Sequence, residues 1–393
     1  MQTLFKKNIY KIYAYRFFIN FFFFVGILIP FFTIWGGISF FQVMLLQTFF
    51  VFSNFILEIP TGVVADYWGR KVSLALAAVF LTCAVLTYSI FPSFYFFLLG
   101  EFLWAIGFTL ISGADEALIY DTLKEHNQEH NSKKFFGRLS SFEMAALMIS
   151  APIGSIIAAK LGLRHTMIFT AFPLFIGFII ALTIKEPKHY QNNKKKNFLE
   201  IFKVGTKYFL AHPILRILAF DRISIAALTF LLIWIYQPKL QSLDLPIIFF
   251  GVISSFILIM QIFVLNNFSK LEKLVRSKKN YLLISALLTG AAFIGLGLAE
   301  HIIISTILFG IAAGFGLTRF VLFQNYMNKY VESNIRATVA STISMIHNLF
   351  KGIVYLFLGL LAKWSLNYAC IIIGLLIIAC ALASKVEEKH LID

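Results

Sequence analysis

The chain has 393 residues, is 59% hydrophobic and only 13% charged, and carries a formal charge of +15. A soluble domain is about 45–50% apolar and about 25% charged, so a soluble enzyme, a secreted disulfide scaffold and a disordered chain are excluded. An outer-membrane barrel is excluded too, because it needs short alternating strands rather than long apolar runs. Twelve apolar segments follow in chain order at about 9–35, 38–60, 72–91, 94–122, 136–160, 164–184, 213–238, 246–268, 280–298, 301–327, 336–363 and 366–384. About 20 apolar residues suffice for a helix to cross a bilayer. The longest hydrophilic stretch, with Lys185-Glu-Pro-Lys188 and Asn192-Asn-Lys-Lys-Lys196, separates the sixth segment from the seventh. The expectation is an all-α polytopic membrane protein of twelve transmembrane helices in two six-helix bundles. Residues 1–185 form one bundle and 213–393 the other, with a cytoplasmic loop at 186–212 between them.

The basic excess is read by topology, because cytoplasmic loops collect Lys and Arg. With the N-terminus in the cytoplasm, 26 of the 34 Lys and Arg fall on the cytoplasmic side and 4 on the other, Lys160, Arg164, Lys239 and Lys363. Arg216, Arg222, Arg319 and Lys351 lie within spans or at their ends. Both termini are therefore expected in the cytoplasm, in a bacterial inner membrane, with no cleavable leader and no nucleic-acid partner. Cys83, Cys370 and Cys380 lie in apolar runs and read as small buried hydrophobes.

The halves look like repeats. Arg138 opens the fifth span with Gly154 following, and Arg336 opens the eleventh with Gly352 at the same spacing. Gly107-Phe-Thr-Leu110 in the fourth span pairs with Gly314-Phe-Gly-Leu317 in the tenth. A site between two such repeats is expected near the bilayer midplane.

After the second span the sequence reads Glu58-Ile-Pro-Thr-Gly-Val-Val-Ala-Asp-Tyr-Trp-Gly-Arg-Lys71. Gly62, Asp66, Gly69, Arg70 and Lys71 fit G-x-x-x-D-x-x-G-R-K, which resembles the loop 2–3 signature of the major facilitator superfamily. Glu58-Ile-Pro-Thr-Gly62, Ser112-Gly-Ala-Asp-Glu-Ala-Leu-Ile-Tyr-Asp121 and Arg336-Ala-Thr-Val-Ala-Ser341 resemble a prokaryotic subgroup of it. The resemblance implies the twelve-helix fold, a cavity lined by spans one, four, seven and ten, and transport by alternating access. It also implies that Asp66 meets the N-terminus of span eleven. Physically, the two glycines allow a tight turn and close backbone approach. Arg70 can pair with Asp121, and the set would form a latch that biases one of two packings. The corresponding stretch after span eight, Asn266-Asn-Phe-Ser-Lys-Leu-Glu-Lys273, lacks the glycines and the Asp, so latching is expected on one side only.

Ionisable groups inside a membrane cost about 2.5–3.5 kcal/mol each on insertion scales and so mark function or paired structural contacts. Glu101, Asp115 and Glu116 lie in span four, and helical counting puts Glu101, Ser112 and Asp115 on one face. Asp115, Glu116, Glu143 and Asp221 are the proton-coupling candidates. Asn20, Arg222, Arg319, Asn325 and His347 are the cavity candidates, with Arg319 able to hold an anionic part of the cargo; Arg16, Gln237, Gln324, Asn348 and Lys351 add polarity nearby. Glu101 lies toward the external half, and Arg16 also suits an interfacial anchor.

His126-Asn-Gln-Glu129-His130 matches a zinc pattern, but it sits in a polar loop without a third ligand. Gly310, Gly314 and Gly316 read as helix packing. No nucleotide-binding lysine motif occurs. No cofactor, metal or enzymatic activity is expected. The expected function is secondary active transport of a small organic molecule by a monomer in the bilayer. Within it, the subgroup signatures point to proton-coupled export of a drug or metabolite. The alternatives are uptake of a nutrient or amino acid, a membrane-embedded lipid-modifying enzyme, and a non-transporting receptor on a carrier fold.

Overall fold

A computed structural model describes residues 2–187, 198–332 and 335–391. Among them no strand occurs. The helices are α1 (Gln2–Ile19), α2 (Leu28–Pro30), α3 (Phe40–Trp68), α4 (Arg70–Ile90), α5 (Phe94–Ile111), α6 (Ala114–Lys124), α7 (Ser132–Leu161), α8 (Leu163–Thr183) and α9 (Phe198–Ala211). They continue with α10 (Pro213–Phe230), α11 (Leu232–Ser242), α12 (Phe250–Asn266), α13 (Phe268–Val275), α14 (Lys278–Leu298), α15 (Ile302–Ile311), α16 (Arg319–Lys329), α17 (Arg336–Trp364) and α18 (Leu366–Ala383). Among the described residues, 11 helical segments are long and apolar enough to cross a membrane, from Phe40–Glu58 to Leu366–Ala383.

The chain divides into two compact units, residues 1–193 with 246–255, and residues 194–245 with 256–393. In the first, α4 packs on α5 and α8, α3 on α5, and α1 on α7 and α8. In the second, α14 packs on α18, α17 on α9, and α10 on α16, α17 and α18. Small residues let these helices touch backbone to backbone, since lipid tails give no hydrophobic drive between them. A methyl at Gly374 would lie 2.5 Å from the carbonyl oxygen of Gly290, so α14 and α18 cross where neither has a side chain.

Helix starts are set locally. Ser39 and Gln42 form a reciprocal capping box at α3, satisfying two otherwise orphaned amides. Ser277 and Ser365 accept the amides of Asn280 and Tyr368 at α14 and α18.

Four of the expected spans are interrupted. The segment expected to be helical from 9 to 35 leaves the helix after Ile19 and resumes at Leu28, followed by a π turn at Phe31–Trp35. Asn20 begins the break by donating its amide to the carbonyl of Arg16 at 2.8 Å. Non-helical backbone at membrane depth survives only where its polar groups find partners. Phe23 N–H finds Thr170 Oγ1 at 3.1 Å, and Ile27 N–H finds the Phe24 carbonyl at 2.9 Å. Gly154 of α7 makes room for this stretch, because a methyl there would lie 1.6 Å from the Phe23 carbonyl oxygen. Span four breaks at Gly113, whose φ of +73° is left-handed. Span seven breaks at Leu231, and span ten passes through a π turn at Ala312–Leu317.

Residues 198–211 of the stretch read as a loop form α9, and Lys239, read as a loop residue, is buried in α11 with its ammonium 2.8 Å from Asn367 Oδ1. Lys188 and residues 192–197 of the expected central loop, including Lys194, lie outside the described residues, as does the side chain of Arg336.

Candidate functional site

Each unit carries a polar cluster inside its helices. In the first, Arg16 sits in the last turn of α1 and Asp115 in the first turn of α6. Both positions complement the helix macrodipoles, a cation at a C-terminus and an anion at an N-terminus. The break at Gly113 starts α6 anew and so brings Asp115 and Glu116 to a helix N-terminus. Arg16 Nη1 lies 2.5 Å from Asp115 Oδ2, and its Nη2 lies 2.7 Å from Glu143 Oε2 on α7. Asp115 is buried, Glu143 half-buried and Glu116 exposed. One guanidinium thus serves two carboxylates, with Glu116 next to Asp115 in sequence.

In the second unit, Asp221 on α10 accepts from Arg319 Nη2 at 2.6 Å. Arg319 also donates to Ser285 Oγ at 2.6 Å and to the Leu282 carbonyl, and the Ser384 hydroxyl donates to the other Asp221 oxygen at 3.3 Å. Both side chains are almost wholly enclosed. A pocket of about 240 Å³ reaches the pair, lined also by Lys279, Leu282, Leu283 and Ser384. The two units therefore tie their first and fourth spans with the same kind of ion pair but with the charges exchanged. Sequence reading placed these residues on cavity spans without foreseeing either pairing.

Beside that pair, Arg222 is 1% exposed and its Nε and Nη1 have no hydrogen-bond partner. Its guanidinium carbon lies 4.2 Å from the centroid of the Phe320 ring. His347 contacts the same ring, centroid to centroid 5.3 Å, and its Nδ1 is also buried without a partner. Lys351, one turn further along α17, places its ammonium 4.7 Å from the Phe230 centroid. Asn325 is exposed and Asn20 belongs to the break in span one.

At the turn between α3 and α4, Gly69 has φ +92° and Arg70 pairs with Asp121 of α6. Asp66 and Gly62 are exposed, and a methyl at Gly62 would meet nothing within 4 Å. Glu186, which the sequence did not single out, accepts the backbone amides of Arg70 and Lys71 at 2.9 and 2.8 Å. Glu388 does the same in the second unit, taking the amides of Lys278 and Lys279 at 3.0 and 2.9 Å and the Ser277 hydroxyl at 2.7 Å. Burial raises the Glu388 carboxyl, but the bonds from Lys279, Ser277 and Lys278 outweigh it and hold the group below the usual carboxylate range. The available signal was an acid just after the last span of each half, in Lys185-Glu-Pro-Lys-His189 and Lys385-Val-Glu-Glu-Lys-His390, although the repeat aligns Glu186 with Glu387 rather than with Glu388.

Glu101 is buried on α5, where the Gln47 amide donates to it at 2.8 Å. The helical counting that aligned it with Asp115 does not carry across the left-handed Gly113. His126 contacts the Thr122 carbonyl and His130 the Asn131 amide. Among the described residues no group of three or more His, Cys, Asp or Glu is placed to hold a metal ion.

Residues 14–355 match the family model of the Major Facilitator Superfamily. The chain belongs to this family. It is a multi-pass membrane transporter, not an enzyme. Comparison of the sequence with curated proteins finds no match. Its fold is similar to that of the nucleoside transporter NupG, with TM-score 0.81 and 13% identity over 98% of this chain and 100% of that one. A D-xylose-proton symporter aligns with TM-score 0.74 and 14% identity over 97% of each chain. A bacterial homologue of the human lysosomal transporter Spinster, in an inward-facing and unoccupied conformation, aligns with TM-score 0.71 and 16% identity over 99% of this chain and 96% of that one.

Proposed function

We propose that this chain is a proton-coupled secondary transporter of a small organic molecule, working by alternating access as a monomer in a bacterial inner membrane. The observation that carries the coupling is the surplus of acid around Arg16. Asp115 and Glu143 both bind it, and Glu116 follows Asp115 in the same helical turn. Asp115 and Glu143 divide one cation between them, so the cluster holds an acid beyond what Arg16 balances, and that surplus acid is the group proposed to carry the coupling proton. Asp221, matched one to one by Arg319, is the weaker candidate.

The remaining parts of the reading are these. The segment from α1 through Trp35 crosses the membrane as a discontinuous helix and completes twelve spans. Both termini face the cytoplasm, supported by the strongly uneven distribution of loop Lys and Arg in the sequence. Gly62, Asp66, Gly69, Arg70, Lys71 and Asp121 form the cytoplasmic latch, with the Arg70–Asp121 pair as its support. Export of a drug or metabolite is the direction, supported by the resemblance of Glu58–Gly62 and Ser112–Asp121 to the prokaryotic subgroup.

The test is gradient-driven flux of a compound panel in proteoliposomes, with internal pH read by pyranine. Asp115→Asn and Glu143→Gln should abolish accumulation driven by a pH gradient while leaving counterflow exchange intact. Wild-type driven rates in Asp115→Asn, Glu116→Gln, Glu143→Gln and Asp221→Asn alike would remove the proposal.

A further inference from the structure

Among the described residues of the second unit, two cations inside the spans, Arg222 and Lys351, have neither an acid nor a side-chain acceptor, whereas the buried Lys239 has Asn367 Oδ1. Arg222 lies in the middle of α10, and neither its Nε nor its Nη1 is hydrogen-bonded. Among the described residues neither Arg222 nor Lys351 forms an ion pair. The nearby Asp221 does not serve Arg222, because its oxygens are taken by Arg319 and Ser384. Arg222 and His347 lie against the same Phe320 ring, and Lys351 follows His347 by one turn of α17, so His347 links the two cations. A buried cation without a partner is among the most costly things a fold can keep. Inside a membrane span such a group marks function by default.

The surroundings specify what would complete the site. Phe320 covers one face of the Arg222 guanidinium and touches His347, while Phe230 lies under the Lys351 ammonium. Ring faces favour cations but neutralise no charge, so the set still lacks an anion. Phe320 is 38% exposed and Lys351 half-buried, so the set reaches the surface of the second unit. Arg319 is already committed to Asp221, Ser285 and the Leu282 carbonyl, so the anion-holding role expected of it passes to Arg222.

We propose that Arg222 and Lys351, with His347 beside them, hold the negative group of a small organic anion whose apolar body lies against Phe230 and Phe320. This deepens the transport reading by naming the cargo class, a carboxylate or similarly charged group on an apolar frame.

The experiment uses the purified full chain in phosphatidylcholine nanodiscs, where no anionic headgroup competes. Binding is measured calorimetrically for benzoate, phenylacetate and hexanoate, against the neutral benzamide and the cationic benzylamine. At least one carboxylate should bind, and neither counterpart should. Arg222→Gln and Lys351→Gln should each weaken that binding about tenfold or more, while Lys329→Gln, exposed at the end of α16, should not change it. Ligand-free Arg222→Gln should melt no lower than the parent, since no ion pair is lost and relief of the unmatched buried charge offsets the lost ring contact. Adding phosphatidylglycerol to the discs should leave the carboxylate affinity unchanged. Failure of all three carboxylates, equal binding of benzamide or benzylamine, undiminished binding by Arg222→Gln and Lys351→Gln, or collapse of Arg222→Gln would each overturn the site. So would competition by phosphatidylglycerol, which would assign it to lipid headgroups. Binding without proton-driven flux would refute the coupling alone, and flux without carboxylate binding would refute this site alone.

Discussion

The two units meet the same electrostatic problem with opposite signs. In the first, Arg16 faces Asp115 and Glu143, with Glu116 alongside, so acid is in excess. In the second, Asp221 and Arg319 cancel, and Arg222 and Lys351 remain, so base is in excess. The ion pair common to both units balances one charge of each sign, and what exceeds that balance is free for work. Surplus carboxylates can pass protons, and surplus cations can hold an anion.

That division can be broken by removing one arginine at a time. Arg319→Met strips the partner from a fully enclosed Asp221 and should cost the most, about 3–5 kcal/mol as for other broken buried pairs. Its melting temperature in detergent should fall the furthest, and Asp221→Asn added to it should recover part of the loss. Arg16→Met should cost less, about 1–3 kcal/mol, because the Arg16 and Glu143 side chains are 21% and 32% exposed and water can take over part of the pairing. Arg222→Met should change stability by less than about 1 kcal/mol, and upward rather than downward, because an unmatched charge leaves a low-dielectric site. If Arg222→Met fell as far as Arg319→Met, the sorting into paired and surplus charges would be wrong.

The smallest effect is expected at the α14 cap. Glu388→Gln should cost about 0.3–1 kcal/mol, the worth of an anion at an exposed helix N-terminus. The folded-state Glu388 titrates below its ordinary value of 4.5. Its contribution is therefore present above that value and is lost as pH falls through the lowered one. Acid unfolding followed from pH 6 downward should show wild type and Glu388→Gln converging below about pH 4.5. Curves that stay parallel would remove the cap as the cause.

Much of this was readable from residue order. Length of apolar run located the 11 segments long and apolar enough to cross a membrane, and the rarity of membrane charge picked out Asp115, Glu143, Asp221 and Arg319. What escaped was local geometry. Phe21 to Phe24 are as apolar in a turn as in a helix, so hydropathy cannot see span one break; Asn20 and the space left by Gly154 were the available hints. Angular counting from Glu101 to Asp115 assumed one helix, and Gly113 makes it two. Arg70 with Asp121 was read from the sequence, but the two pairings inside the bundles were not, because each joins residues about a hundred positions apart, Arg16 with Asp115 and Asp221 with Arg319. Helix α9 was hidden because Lys194 to Lys196 gave the whole stretch the look of a loop, although Phe198, Leu199, Ile201 and Phe202 carry a helical spacing.

The central claim, that the acid surplus of the first unit drives the cycle, is tested most directly by comparing two modes of transport in Glu143→Gln proteoliposomes. The account predicts counterflow exchange at a rate close to that of the parent, with no accumulation when a pH gradient is imposed. Accumulation at the parental rate would contradict it.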